Sequence, residues 1–428
     1  MSFHAVIWGL LCAVGLLGAF FNPIFGLFAY LLEYFQRPAL FWWGQELPDL
    51  RWNFTIAATA MIAYVLQKAS LPPFRRETLV PLVLLLAQAA NTSIVTLWAI
   101  APDLSLTWST AYWKLVVTFI LFSALIRNVR GLELVVLFQI VGAAYWGWDA
   151  LDARRTNTRL EGIGSGDTLN SNLLGAHLLT IIPLALIFTL MKGPRWMRGI
   201  AMVCTPFIVN LLILANSRGA TVGFVAAGLA SLVLVRKGMR KRMLIGAVAG
   251  GLALYLLADP QFIERQQTIT NPQDQSAISR LEIWAGSLRM VADYPLGAGG
   301  RGFHILSPRY VPQLVADGSD GRSAHNTYIQ VAADWGVQGL VLFVAFVGYS
   351  MLLLRRVRRE RLTPDRIYFL SLGIELGLIG TLTAAFFSVR LYGESIYWMC
   401  GLATALYCMT SAEAESERAD IRPAELAA

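Results

Sequence analysis

The chain reads as an all-α polytopic membrane protein of about 12 transmembrane helices, with one helical subdomain outside the bilayer. Three observations predict this class. Of its 428 residues 56% are hydrophobic and 14% charged, with a mean hydropathy of +0.55, whereas soluble domains are nearer ~45–50% apolar. The apolar residues gather in blocks of about 17–22 residues with few charges, the length that crosses a ~30 Å hydrocarbon core. The blocks lack the period-two alternation of a barrel, so helices must satisfy the backbone groups inside the bilayer.

In chain order, the first block spans 4–35 and is interrupted at Asn22-Pro23. It has no basic leader and no small-residue cleavage site, so it is expected to be retained; one broken pass, with both termini inside, is preferred to two passes with the N-terminus outside. Further blocks follow at 52–67, 78–100, 110–126, 131–149, 170–191, 199–214, 219–235 and 243–258. Residues 1–258 therefore hold about nine spans joined by short loops. A polar stretch of 78 residues, 259–336, forms the large loop or subdomain; 337–410 hold three more spans, at 337–354, 366–387 and 394–410. The remaining 411–428 form a polar tail, expected to be cytoplasmic and disordered.

Orientation follows from arginine and lysine. VRKGMRKRM (235–243) and RRVRRERLTPDR (355–366) are short and dense in both, which marks the cytoplasmic side. Residues 67–77, 127–131 and 192–198 fall on the same side when spans alternate. Segments 36–51, 101–109, 150–169, 215–218, 259–336 and 388–393 then face outward. The formal charge of +8 thus reports topology before it reports a polyanion, and no nucleic-acid partner is expected. The four cysteines, Cys12, Cys204, Cys400 and Cys408, lie in apolar blocks without ligand spacing and read as packing residues.

Several outward arginines break that charge rule. DARRTNTRLEGIGSGD (152–167) carries Arg154, Arg155 and Arg159. A guanidinium fork holds phosphate oxygens in pairs, so this loop is a candidate holder of a phosphorylated ligand; contact with anionic lipid headgroups is the plainer reading. In NSRGATVGF (216–224), Arg218 sits on a tight turn between two spans, where it either lines a site or reaches the interface. The large loop holds Arg265, Arg280, Arg289, Arg301, Arg309 and Arg322 and no lysine. The whole chain has only five lysines, so a general preference for arginine accounts for much of this.

Within the loop, ISRLEIWAGSLRMVADYPLGAGGRGFHIL (278–306) predicts a helix with Ile278, Leu281, Trp284, Leu288 and Val291 on its apolar face. Pro295 and the following glycines end it. GAGGRG has no preceding strand, so a nucleotide-binding loop is rejected. Of the four histidines, His4 is terminal and His177 lies inside a span. His304 follows the glycines, and His325 opens an apolar-periodic stretch, with Ser323 a candidate helix cap. A lone histidine is usually structural, but His325 stands at a membrane surface among arginines. There an imidazole suits the removal of a hydroxyl proton near neutral pH. No carboxylate pair or histidine pair with metal-ligand spacing stands in the outward loops, so no metal and no other cofactor is expected, and arginine must meet the charge of any departing diphosphate.

NSRGATVGF, SRLEIW…YPLGAGGRGF and AHNTYIQVAADWGVQG together resemble the O-antigen ligase and O-antigen polymerase superfamily of bacterial inner-membrane glycosyltransferases. The ligase spacing of histidine, ten residues and glycine is present as His325 to Gly336. The resemblance covers roughly 170–410. It implies a helical fold similar to the C-type membrane glycosyltransferases, with a periplasmic subdomain, and a multi-pass inner-membrane protein whose active site faces the periplasm. It implies transfer of an undecaprenyl-diphosphate-linked polysaccharide donor to a lipid A–core acceptor among membrane lipids, metal-independent and with inversion. By the same resemblance His325 is the catalytic residue, as general base or as the group that orients the acceptor, and Arg218 and Arg280 hold the diphosphate. Arg301, Arg154, Arg155, Arg159 and Asn326 are added as substrate-binding candidates from charge and position. A polymerase or a protein-glycosylating ligase of the same superfamily differs only in acceptor. A transporter requires charges deep in several spans, and only Lys114 and Glu375 are placed deep.

Overall fold

A computed structural model describes residues 1–67, 76–151, 153, 159–190, 193–268, 275–314, 321–360 and 363–425. Among these, sixteen α-helices account for nearly all regular structure and no strand forms. They are α1 (Phe3–Ala19), α2 (Ile24–Phe35), α3 (Trp52–Leu66), α4 (Arg76–Val95), α5 (Pro102–Ala124) and α6 (Val129–Asp149). Next come α7 (Ser171–Leu190), α8 (Arg195–Ala215), α9 (Arg218–Leu234), α10 (Arg240–Leu257) and α11 (Pro260–Gln267). The series ends with α12 (Gln275–Asp293), α13 (Gly302–Tyr310), α14 (Thr327–Arg359), α15 (Asp365–Ala384) and α16 (Glu394–Glu425). Among the described residues seven helices, α4 to α8, α14 and α15, are each long and apolar enough to cross a membrane. Three more, α1, α3 and α9, are apolar but shorter. The chain is a multi-pass membrane protein.

The block 4–35 is not one broken pass. Gly15 lies against Ala29, Gly18 against Phe25 and Ala19 against Gly26, the running-backward register of an antiparallel hairpin. Asn22-Pro23 reverses the chain between α1 and α2, and the glycines let the two backbones meet closely. Trp8 of α1 then packs edge-on against Trp52 at the start of α3, while Gln67 at the end of α3 donates to the Ala19 and Phe20 carbonyls.

At the centre, α15 packs on α7 and α9, and α7 on α8; the apolar stretches of α7 and α15 are each 78% buried. One end of the bundle is basic and held by ion pairs. Glu375 of α15 is fully buried and takes Arg355 at 2.7 Å and also Arg358. Glu133 of α6, likewise buried, takes Arg366. The carboxylate that seemed deep in a span is therefore paired with arginines from the basic end of α14.

The opposite end collects the six segments read as outward. Ile100 donates to the Ala298 carbonyl at 3.0 Å, Gly300 N–H to Ser105 Oγ at 3.0 Å, and Asn216 Nδ2 to the Gln261 carbonyl at 3.3 Å. Arg390 Nη1 donates to the Asp167 carbonyl at 2.9 Å.

Three local expectations need correction. The buried stripe of α12 is Ile283, Ser287 and Met290, while Leu281 and Leu288 remain exposed. Gly286 decides this: a Cβ there would stand 2.4 Å from Val311, so this side of α12 lies hard against the segment after α13. The cap of α14 is Asn326, whose side chain accepts from the Tyr328 and Ile329 N–H groups, and not Ser323. The tail expected to be disordered continues α16 to Glu425, in keeping with its alanine, glutamate and arginine content.

Gly336 explains the glycine of the His–Gly spacing. It interrupts α14 with φ 80° and ψ 169°, a region open essentially to glycine alone. A Cβ there would meet the Leu296 backbone at 2.6 Å. The kink seats the glycine run: Ala298 and Gly299 N–H donate to the Ala333 and Asp334 carbonyls, and Val337 N–H to that of Pro295. GAGGRG is a docking strip for α14.

Candidate functional site

His325 stands on the turn that leads into α14, half-buried, with φ 48°. Histidine tolerates the left-handed region better than most residues, but the surroundings must still hold it there. On one side Ala324 is fixed from two directions. Its N–H donates to Gln330 Oε1 at 2.9 Å, and its carbonyl accepts from Trp284 Nε1 of α12 at 3.1 Å. On the other side Asn326 caps the helix. Thr327 ties the turn to the α15–α16 loop: its N–H donates to the Ala385 carbonyl and its hydroxyl to that of Ser388, at 2.8 and 2.7 Å.

Burial lowers the His325 pKa below its ordinary value, and the nearby charges of Arg280 and Arg322 lower it further. The imidazole is therefore neutral at neutral pH, the form that accepts a proton. Arg280 lies on α12, half-buried. Arg322 is exposed and its Nε donates to the Leu314 carbonyl at 2.6 Å.

Arg218 is the first residue of α9, set by the left-handed Asn216 and by Ser217, whose hydroxyl caps the helix. Its guanidinium donates to Thr268 Oγ1 at 2.9 Å. It joins the His325 turn through packed neighbours. Gly219 has no room for a Cβ beside Phe387, which would stand 2.9 Å away. Phe387 lies 6.5 Å from Trp284, centroid to centroid, and Trp284 holds the Ala324 carbonyl.

The other candidates are distributed around this centre. Asn326 is buried, its carboxamide oxygen committed to the cap. Arg301 is exposed, with φ 59°, and its guanidinium lies 3.1 Å from His304 Nε2. His304 also adjoins the segment leading to His325, because Gly321 packs directly on the His304 carbonyl. Arg159 is half-buried; the next residue, Leu160, donates to the Leu214 carbonyl, which brings this loop beside the Arg218 turn. Arg154 and Arg155 lie outside the described residues.

Two features escaped sequence reasoning. Arg322, one of six loop arginines that composition could not rank, is the one three residues before His325. The second is a buried ionic cluster behind the turn. Arg390, 1% exposed, faces Asp167 Oδ2 at 3.7 Å, and Asp167 accepts from Tyr34, Ser165 and the Glu394 N–H. Burial pushes the Asp167 carboxyl up, but Arg390 and these donors outweigh it and hold it below its ordinary value. Arg390 stands in a short outward loop against the charge rule, the same signal that singled out 152–167.

These features define a polytopic helical membrane protein with a neutral imidazole among guanidinium groups at the loop end of its bundle. Residues 201–344, from α8 into α14, match the family model Wzy_C, O-antigen ligase. The matched stretch includes Arg218, Arg280, Arg301, His325 and Asn326. The family comprises glycosyltransferase-like ligases and polymerases acting on polysaccharide and lipid substrates. No curated protein matches the chain.

Proposed function

We propose that the chain transfers an undecaprenyl-diphosphate-linked O-antigen polysaccharide to lipid A–core at the periplasmic face of the bacterial inner membrane. The observation that carries this reading is the half-buried His325, whose pKa is lowered by burial and by the charges of Arg280 and Arg322, within the stretch that matches the family model. The acceptor hydroxyl gives its proton to the imidazole, and its oxygen attacks the anomeric carbon. The bond from that carbon to the diphosphate oxygen breaks, the electron pair leaves with the undecaprenyl diphosphate, and configuration inverts. Arg218 and Arg280 meet the charge on the departing diphosphate. Arg301, Arg159, Arg154 and Arg155 belong to the wider substrate surface, and Asn326 sets the orientation of the histidine turn.

The test is His325→Ala in cells. Lipopolysaccharide on gels should lose its O-antigen ladder while long chains accumulate on the lipid carrier. An undiminished ladder refutes the role of His325. A single repeat left attached to core would mark a polymerase in place of a ligase.

A further inference from the structure

The deepest charged group near the candidate site does not face it. Arg390 is almost wholly buried, and burying a guanidinium is costly unless every donor is used well. Its Nη1 donates to the Asp167 carbonyl at 2.9 Å and Nη2 to Ser395 Oγ at 3.2 Å. Its charge faces the Asp167 carboxylate. Gly393 leaves the space it fills: a Cβ there would stand 2.5 Å from the guanidinium. The 159–170 loop, the α15–α16 loop and the start of α16 are thus clamped around one side chain. The clamp reaches the candidate base by a single hydroxyl. The backbone N–H of Arg390 donates to Thr327 Oγ1 at 2.8 Å, and that hydroxyl donates onward to the Ser388 carbonyl. Thr327 itself is fully buried and two residues from His325.

We infer that Arg390 is a positioning residue, which fixes the Thr327 hydroxyl and through it the orientation of the His325 imidazole for proton removal. The inference rests on the reading of His325 as the base. In the proposed mechanism Arg390 touches neither substrate nor the reacting atoms; its Nη1 and Nη2 bonds tie the 159–170 loop to the start of α16, while Nε has no hydrogen-bond partner, and so they hold in place the backbone N–H that bonds Thr327. A base displaced by about 1 Å can cost on the order of 100-fold in rate, so a rigid mount matters more than its distance from the chemistry suggests.

The experiment uses the full-length protein in detergent or vesicles, with a polyprenyl-diphosphate-linked glycan and lipid A–core. Thr327→Val removes the hydroxyl at constant shape, Thr327→Ser keeps it, and Arg390→Lys keeps charge but loses the forked geometry. Thr327→Val and Arg390→Lys should lower kcat roughly 10- to 100-fold, with the donor KM within about twofold of the parent. The acid limb of kcat/KM should also move to higher pH, because a loosened imidazole escapes its burial and the fields of Arg280 on α12 and Arg322 on its own strand. Thr327→Ser should restore both rate and limb. Parental kcat and limb in Thr327→Val overturns the inference, as does loss of folded protein with an unmoved limb in the fraction that remains. If instead His325→Ala transfers normally, it is the functional reading itself that fails.

Discussion

Replacing Gly336 by alanine tests the central geometry through its backbone alone. Gly336 holds φ 80° and ψ 169°, and an L-residue forced into that region costs about 1–3 kcal/mol. The added methyl would also stand 2.6 Å from the Leu296 carbonyl carbon, a backbone atom that cannot rotate away. Either the kink straightens, breaking the bonds that join 333–337 to 295–299, or that strip shifts. The paired control is Gly348→Ala in the same helix, where nothing lies within 4 Å of the new Cβ. There alanine should stabilise by about 0.5–1 kcal/mol through helix propensity. Thermal unfolding in detergent should thus show opposite signs for two chemically identical substitutions 12 residues apart, and Gly336→Ala should also lower transfer. A Gly336→Ala protein that melts at or above the parental temperature would refute the claim that the kink organises this end of the molecule.

Two further predictions follow from charge. With the neutral imidazole as the proposed base, transfer should fall as pH drops through its pKa, which in the free protein lies below the ordinary 6.5 through burial, Arg280 and Arg322. A bound diphosphate offsets the arginines and raises that pKa, so the acid limb of kcat should lie at higher pH than that of kcat/KM; coincident limbs count against a diphosphate beside Arg280. At the other end, Glu375→Gln leaves Arg358, whose side chain is 6% exposed, without its counter-charge, and should destabilise by about 3–5 kcal/mol. Measured per folded molecule, transfer should be unchanged, since the pair lies at the end of the bundle away from His325.

How much could be read from the residues depended on the range of the physics involved. Hydrophobic blocks and basic loops are local, and they gave the alternation that brings six segments to one end. The α1–α2 hairpin was left as the second choice because an apolar block of 32 residues with Asn22-Pro23 in its middle fits one bent pass or two short ones. Only the Gly15–Ala29 and Gly18–Phe25 approaches, set by folding, distinguish them. The face of α12 was misjudged for a similar reason. Its apolar residues occupy two stripes, and a glycine chose which one lies inward. Of the candidate site, His325 and Arg280 share one electrostatic environment, and their types and motif spacing were visible along the chain. Arg390 was not, because what distinguishes it from other arginines is the partner it meets more than two hundred residues away, Asp167; Arg322 was not, because its field at His325 depends on how the turn folds.

The spacing between His325 and Gly336 can then be understood as a mechanical unit. Two residues with positive φ bracket a helical segment of nine residues, 327–335, which rises about 13 Å at 1.5 Å per residue. At its start, Thr327 is pinned to the α15–α16 loop; in its middle, Gln330 donates to Asp334 and accepts from Ala324; at its end, Asp334 accepts from Phe303 N–H and Gly299 N–H. The first anchor is the α15–α16 loop and the last is the 299–303 strip, so the segment joins the two. A turn carrying a reactive side chain on such a segment is located by the bilayer helices on one side and by the loop subdomain on the other. That arrangement suits the proposed displacement at a membrane surface, in which the hydroxyl met by the imidazole and the lipid-borne leaving group stand on opposite sides of the anomeric carbon.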